Sequence, residues 1–194
     1  MLALLMGSLL AQAAQTPPPQ TPPPEDFDLL PREAAPDPAA QARQKELEGK
    51  LDQRRQMLQL HQLGGMLTLA GLGATVVLGE LNYLDKYGGR GDTGQWYEWH
   101  RWTAITTSAI FAGTAALAIF APVPIEKPVR LDTATLHKIF MGVASAGMAT
   151  QIVLGIVTAS KEGSLSQRSF AQAHQIVGIT TFAATAAGFG VLTF

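Results

Sequence analysis

Four histidines are the residues of this chain whose type and spacing suggest chemistry. His61, His100, His137 and His174 lie 39, 37 and 37 residues apart, and the sequence contains no other histidine. A neutral imidazole is the commonest metal ligand in proteins, and the near-regular spacing indicates a repeated unit. The sequence has no cysteine, which excludes disulfides, thiolate metal sites and covalent cofactor attachment through a C-x-x-C-H motif.

Each histidine stands at the start of a stretch without charged side chains. These stretches are residues 62–79, 102–125, 139–160 and 169–194. A helix needs roughly 20 apolar residues to cross a bilayer, and about 18 already suffice for a candidate span. The stretches are rich in Ala, Gly and Thr, as closely packed membrane helices are. Buried helices of a soluble protein are the alternative, but four such stretches joined by short polar loops favour the membrane.

The connections at 85–99, 122–136 and 161–173 are too short for parallel neighbours. They predict an all-α membrane protein, an up-down-up-down four-helix transmembrane bundle. In such a bundle the first and third helices enter from one face and the second and fourth from the other. His61 should therefore lie level with His137, and His100 with His174 at the opposite face. An aromatic belt at the second span agrees with a membrane interface, namely Trp96, Tyr97, Trp99 and Trp102.

Two imidazoles facing each other across the diagonal of a bundle leave room for a flat ring between them. Two neutral nitrogens on opposite sides of an iron are the ligand set of a low-spin b haem. We therefore predict two non-covalent b haems, one near each membrane face. Arg101 and Lys138 directly follow their histidines, and we predict that they extend toward the interface and pair with haem propionates.

Other metal sites agree less well with the pattern. A four-histidine zinc or copper site needs all four ligands at one level, which alternating entry forbids. A di-iron carboxylate bundle needs Glu-x-x-His pairs, and the residues three before the histidines are Leu58, Tyr97, Ala134 and Ala171. Histidines merely tolerated at helix starts remain the plainest alternative.

The segment before the bundle divides into three parts. Residues 1–14 are apolar and end in Ala11-Gln12-Ala13-Ala14, which predicts a secretory signal peptide. Residues 15–39 are Pro-rich and predict a disordered linker, and residues 40–60 predict a soluble helix that continues into the first span. The four-helix transmembrane di-haem domain then occupies residues 61–194.

The segments around the histidines resemble the cytochrome b561 superfamily. They are LHQLGG at 60–65, WHRW at 99–102, LHKIFMG at 136–142 and AHQIVG at 173–178. The resemblance covers roughly residues 55–194. It implies four membrane helices with one haem-ligating histidine near the start of each, the first paired with the third and the second with the fourth. His61, His100, His137 and His174 would be these ligands.

The distribution of cations predicts the orientation of the bundle. Loops on the side of the N-terminus carry Lys127, Arg130 and Lys138, whereas the opposite side carries Lys86, Arg90, Arg101, Lys161 and Arg168. The positive-inside rule then places the N-terminus outside the cytoplasm of a bacterial inner membrane. Counting the cations of residues 40–60 reverses the balance, but that segment follows a predicted signal peptide.

Transmembrane electron transfer is the function that these features predict. A quinol- or metal-reducing subunit of an oxidoreductase complex is one alternative, with Glu80 as a candidate proton relay, and a haem-free membrane scaffold is another. Whether the chain is itself an enzyme is left open.

Membrane lipid and redox proteins or quinone are the expected partners, within a larger electron-transfer complex. The net charge of −1 excludes nucleic acid.

Overall fold

Four long helices make up the part of the chain that the computed structural model describes, residues 37–125, 128 and 130–193. They are α1 (Pro38–Tyr87), α2 (Tyr97–Phe120), α3 (Thr133–Ser160) and α4 (Gln167–Thr193). All four are long and apolar enough to cross a membrane. The prediction of an all-α four-helix membrane bundle is confirmed, and the chain is an integral membrane protein. The predicted signal peptide and most of the Pro-rich linker lie outside the described residues.

Helix α1 is much longer than a membrane span. It contains 50 residues and is therefore about 75 Å long at 1.5 Å per residue. Asp37 caps its start by accepting a hydrogen bond from the Ala39 N–H at 3.0 Å, and Pro38 occupies the first turn, where its missing N–H costs nothing. Residues 40–60 continue into the span without a break, so roughly 35 Å of α1 precedes His61.

The helices end at different residues from the charge-free stretches because local backbone chemistry decides their ends. Helix α2 stops at Phe120, since Pro122 disfavours a helical conformation at Ala121, whose φ and ψ are −62° and 128°. Helix α3 begins at Thr133 because the Asp132 carboxylate accepts the Thr135 N–H at 2.8 Å. Helices α1 and α4 likewise extend into the predicted loops at 85–99 and 161–173.

The helices are arranged as two antiparallel hairpins. Helix α1 packs chiefly on α2 and α3 on α4, and α1 also contacts α4. Helices α1 and α3 are thus diagonal, as are α2 and α4. Glycines bring each hairpin together, because a Cβ at Gly71 would strike the Thr107 hydroxyl and one at Gly147 would strike that of Thr181. Such small-residue contacts are how membrane helices approach closely.

The outer surface of the bundle is apolar, whereas polar side chains are found inside. Ile119 is 74% exposed and Trp99 68% exposed, although both are large and hydrophobic. Thr68, Thr107, Thr114, Thr181 and Thr185 are buried. Leu72, Phe111 and Met148 are buried as well, so the interior contains both apolar and polar side chains. The apolar exterior suits a protein whose solvent is lipid.

Candidate functional site

The histidines of diagonal helices lie opposite each other in two pairs, with their ring planes nearly perpendicular. The ring centroids of His61 and His137 are 6.2 Å apart, with an angle of 87° between the ring planes. Those of His100 and His174 are 5.9 Å apart at 90°. All four side chains are partly buried. The structure thus brings the residues together as two pairs, one on helices α1 and α3 and one on α2 and α4.

The two spacings suit a single metal ion held between each pair. A metal–imidazole bond is about 2 Å long, and the ring centre lies about 1 Å beyond the nitrogen, so two opposed imidazoles on one ion have centroids roughly 6 Å apart. The donor set of each pair is two nitrogens, as a b haem requires.

Backbone carbonyls hold three of the four imidazoles. His61 Nδ1 lies 2.9 Å from the Thr114 carbonyl oxygen, His100 Nδ1 lies 3.1 Å from that of Thr75, and His137 Nδ1 lies 2.7 Å from that of Gly188. A carbonyl only accepts, so Nδ1 carries the proton in each of these rings. The neutral tautomer that results has a free lone pair on Nε2, which is the nitrogen available to a metal.

Glycines leave room around the imidazoles. An added Cβ at Gly79 would lie 2.9 Å from His100 Cε1, and one at Gly155 would lie 3.3 Å from His174 Cε1. Gly79 and Gly155 occur eighteen residues after His61 and His137. Each glycine therefore lies on the hairpin partner of the helix whose histidine ring it faces: Gly79 on α1 faces His100 of α2, and Gly155 on α3 faces His174 of α4. Gly65 follows His61 by about one turn, and nothing lies within 4 Å of its added Cβ. Open space therefore exists beside the first pair.

The most buried layer of the protein lies halfway between the two pairs. Thr68, Thr107, Ala144 and Thr181 each follow the histidine of their own helix by seven residues. Their exposed fractions are 2%, 3%, 0% and 2%. We call these four residues the central layer. Among the described residues, the only ionisable side chains between the two histidine levels are Arg101 and Lys138, which directly follow their histidines and are exposed. The central layer itself carries no charge.

Amide and carboxylate groups collect at the His100/His174 pair. Gln151 donates its Nε2–H to the His174 carbonyl oxygen, and Gln175 donates to the Glu80 carboxylate. Sequence reasoning singled out Glu80 but missed Gln175, because a glutamine beside a predicted ligand has no special spacing. Polar groups at this depth are costly and usually functional.

Arg101 and Lys138 lie at the surface of the bundle. The Arg101 guanidinium is 3.5 Å from the Glu98 carboxylate and its Cζ is 5.7 Å from the Trp102 ring centre. Lys138 is exposed on the first turns of α3. Their predicted role toward propionates stays a prediction.

Among the described residues, no group of three or more His, Asp and Glu side chains converges as a metal cluster. Comparisons with models of known families, with curated proteins and with solved structures found no match.

Proposed function

We propose that this chain is a membrane cytochrome b that carries electrons across the bilayer through two bis-histidine b haems. The observation that carries this proposal is the spacing of the two histidine pairs, 6.2 Å and 5.9 Å between ring centroids. The resemblance of the four histidine segments to the cytochrome b561 superfamily supports the same assignment. A haem bound at each pair supplies reversible one-electron transfer.

The protein's own residues would bind the haems, orient the imidazoles and keep water out of the space between the two sites. His61 and His137 would hold one haem iron, and His100 and His174 would hold the other. The carbonyls of Thr114, Thr75 and Gly188 keep protons on Nδ1, so Nε2 stays available to the metal. The glycines beside the rings give the planar group room, and the central layer excludes water from the space between the sites.

The distance between the two levels favours electron passage within a single chain. The Thr75 carbonyl marks the level of His100 on α1, and it follows His61 by fourteen residues, or about 21 Å at helical rise. His61 and His137 would hold one haem near one face, and His100 and His174 would hold the other near the opposite face. Bound there, the two groups would supply one redox centre at each level of the bundle.

Absorbance spectroscopy on the purified full chain tests haem binding. After expression with a haem precursor, we expect a Soret band, low-spin α and β bands on reduction, and two haems per chain by pyridine haemochrome. The two imidazole planes of each pair are nearly perpendicular. Perpendicular imidazoles would split the iron d orbitals less than parallel ones, so we also expect strongly anisotropic low-spin signals by electron paramagnetic resonance. A protein without a Soret band would instead be a haem-free scaffold.

Reconstitution into liposomes tests the transmembrane step. External dithionite should reduce ferricyanide trapped inside vesicles that contain the wild-type chain. His61→Ala/His137→Ala should keep about one haem and lose this transfer, which makes it the matched control. Equal rates in both proteins would contradict a route through two sites.

A quinol-oxidising subunit is the second candidate, and the Glu80–Gln175 hydrogen bond beside the His100/His174 pair favours it. A carboxylate held at a redox site in the membrane is a suitable proton acceptor for a hydroquinone. Rapid haem reduction by a soluble quinol analogue in the wild type, and slow reduction in Glu80→Gln, would support this activity. Equal rates would leave Glu80 as an interfacial carboxylate.

The proposed location is a bacterial inner membrane with the start of α1 outside the cytoplasm. The cation count of the short loops and the predicted signal peptide both support it. The exposed polar part of α1 would then stand at the outer face.

A further inference from the structure

His174 differs from the other three histidines in how its ring is held. Among the described residues, its buried Nδ1 has no hydrogen-bond partner. The Gln151 carbonyl makes only a contact outside normal hydrogen-bond geometry. His61, His100 and His137 all have a carbonyl at 2.7–3.1 Å. The Nδ1 of His174 therefore lacks the carbonyl hydrogen bond that holds the other three rings.

A comparison of the two hairpins shows which residue takes the place of the missing carbonyl bond at His174. Residues of α1 correspond to those of α3 at an offset of 76, as His61 does to His137, and residues of α2 correspond to those of α4 at an offset of 74. Thr75, whose carbonyl holds His100, corresponds in this way to Gln151. The Thr75 hydroxyl only donates to the Gly71 carbonyl of its own helix at 2.8 Å. Gln151 instead reaches across to α4.

The Gln151 side chain is fitted into the seam between α3 and α4. Its Nε2 donates to the His174 carbonyl oxygen, so it binds the backbone of the very residue whose ring is not held. Gly178 makes room for it, because an added Cβ there would lie 2.8 Å from Gln151 Nε2. The corresponding residue of the first hairpin is Ala104, whose methyl group would occupy that space.

We propose that Gln151 is a positioning residue for the His100/His174 site: it fixes the α4 backbone at His174 and thereby orients an imidazole that lacks its own carbonyl acceptor. This inference rests on the proposed function, since the oriented imidazole is a proposed haem ligand. Groups outside the direct ligand shell commonly change metal affinity by 10–100-fold. Gln151 has this role through its side-chain hydrogen bond to the α4 backbone.

Two independent substitutions remove the same contact. Gln151→Leu deletes the amide while keeping an apolar side chain that a membrane helix tolerates. Gly178→Ala keeps the Gln151 amide, but the new methyl group displaces that amide from the space between α3 and α4. Thr150→Val is the matched control, because Thr150 neighbours Gln151, is exposed, and bonds only to the Ala146 carbonyl of its own helix.

We would measure a redox titration and the low-spin spectrum of each haem in the full chain. Each signal would be assigned to its site by comparison with variants that lack one histidine pair, such as His61→Ala/His137→Ala. We expect Gln151→Leu and Gly178→Ala to shift the midpoint potential of the His100/His174 site and to convert part of its signal to high spin. Haem transfer from that site to an acceptor apoprotein should be roughly 10-fold faster. The His61/His137 site should be unchanged, and Thr150→Val should match the wild type.

The double variant Gln151→Leu/Gly178→Ala decides whether both changes act through one contact. We expect it to shift the potential no further than the larger single shift, because a contact can be removed only once. Unaltered potentials in Gln151→Leu, equal shifts at both sites, or additive shifts in the double variant would overturn the inference and leave the proposed function standing. A wild-type chain without haem would overturn both.

Discussion

At the scale of single residues, the chemistry of this bundle depends on which nitrogen of each imidazole stays free. A backbone carbonyl beside Nδ1 decides this for His61, His100 and His137. Carbonyls cannot donate, so they select one tautomer more strictly than a hydroxyl or a water would. His174 obtains its position through Gln151 instead.

Paired alanine variants test the pairing of these residues. We expect His61→Ala/His137→Ala to keep about one low-spin haem, because both changes fall on one site. His61→Ala/His100→Ala should damage both haems, because its two changes fall on levels roughly 21 Å apart. Haem stoichiometry and the reduced spectrum measure the difference. One intact low-spin haem in the His61→Ala/His100→Ala protein would rule out the proposed pairing.

The depth of each histidine in the bundle was predictable from the sequence, whereas the groups that hydrogen-bond its ring were not. Loop lengths determine alternating helix direction, and alternating direction decides which histidines share a level. The acceptors at Thr114, Thr75 and Gly188 are main-chain carbonyls, which every residue carries, so no residue type marks them. Gln175 was missed for a related reason, since its partner Glu80 lies on another helix and 95 residues away.

At the scale of helices, glycine positions determine how closely the hairpins approach and where the rings fit. Gly71 and Gly147 meet threonines of the neighbouring helix, and Gly79 and Gly155 meet histidine rings. The matching positions in α1 and α3 were visible in the sequence as a repeat. Their partners were not, because the rotation of α1 against α2 follows from side-chain packing across the whole interface.

Gly79→Ala tests the fit of a ring against a helix. The new methyl group would lie 2.9 Å from His100 Cε1, so the ring must shift from its position near the Thr75 carbonyl. We expect a high-spin fraction and faster haem loss at the His100/His174 site, with the other site intact. Gly113→Ala is the control, because nothing lies within 4 Å of its added Cβ. Identical spectra of the two variants would contradict the close fit.

At the scale of the whole molecule, polar contacts at the face of the His100/His174 pair tie the hairpins together. Lys86 of α1 forms an ion pair with Glu162, in the loop between α3 and α4. Glu80 of α1 also accepts a hydrogen bond from Gln175 of α4. At the opposite face, Arg54 of α1 donates to the Pro122 carbonyl oxygen, just after α2, at 2.8 Å, and so it holds the two ends of the first hairpin together.

The Lys86–Glu162 tie should depend on pH. The hydrogen bond to Lys86 lowers the pKa of Glu162, and the same bond raises the pKa of Lys86. Stability from the lowered carboxyl is present above its ordinary pKa and is lost as pH falls through the lowered value. Stability from the raised ammonium is lost only as pH rises through its raised value, so the tie acts between roughly pH 5 and pH 10. Because Glu162 is mostly exposed, its contribution is below about 1 kcal/mol.

Glu162→Gln measures this contribution. In detergent at pH 7 we expect a slightly lower melting temperature than in the wild type, and a difference that shrinks as pH falls through the lowered pKa of Glu162, where the wild-type carboxyl also becomes neutral. A difference that stays constant across this range would show that the ion pair does not contribute. Glu98→Gln is a suitable control, since Glu98 pairs within its own helix.

The absence of cysteine makes the orientation of the bundle directly measurable. Gln41→Cys places one thiol on the exposed start of α1, and Ser164→Cys places one in the loop between α3 and α4. In intact spheroplasts we expect a membrane-impermeant maleimide to label the first and not the second, as the cation count predicts. The reverse result would place the start of α1 in the cytoplasm and would also contradict the signal peptide.

The central layer gives the proposed electron route a dependence on voltage. Its four residues, Thr68, Thr107, Ala144 and Thr181, are buried and uncharged, so the layer has no ionisable side chain that could take up a proton as the electron passes. An electron would therefore cross about 21 Å of a hydrocarbon thickness of about 30 Å without a compensating charge. A full crossing is worth about 2.3 kcal/mol per 100 mV, so this step senses roughly 1.6 kcal/mol per 100 mV. The distribution of electrons between the two haems would then respond to the energised state of the membrane.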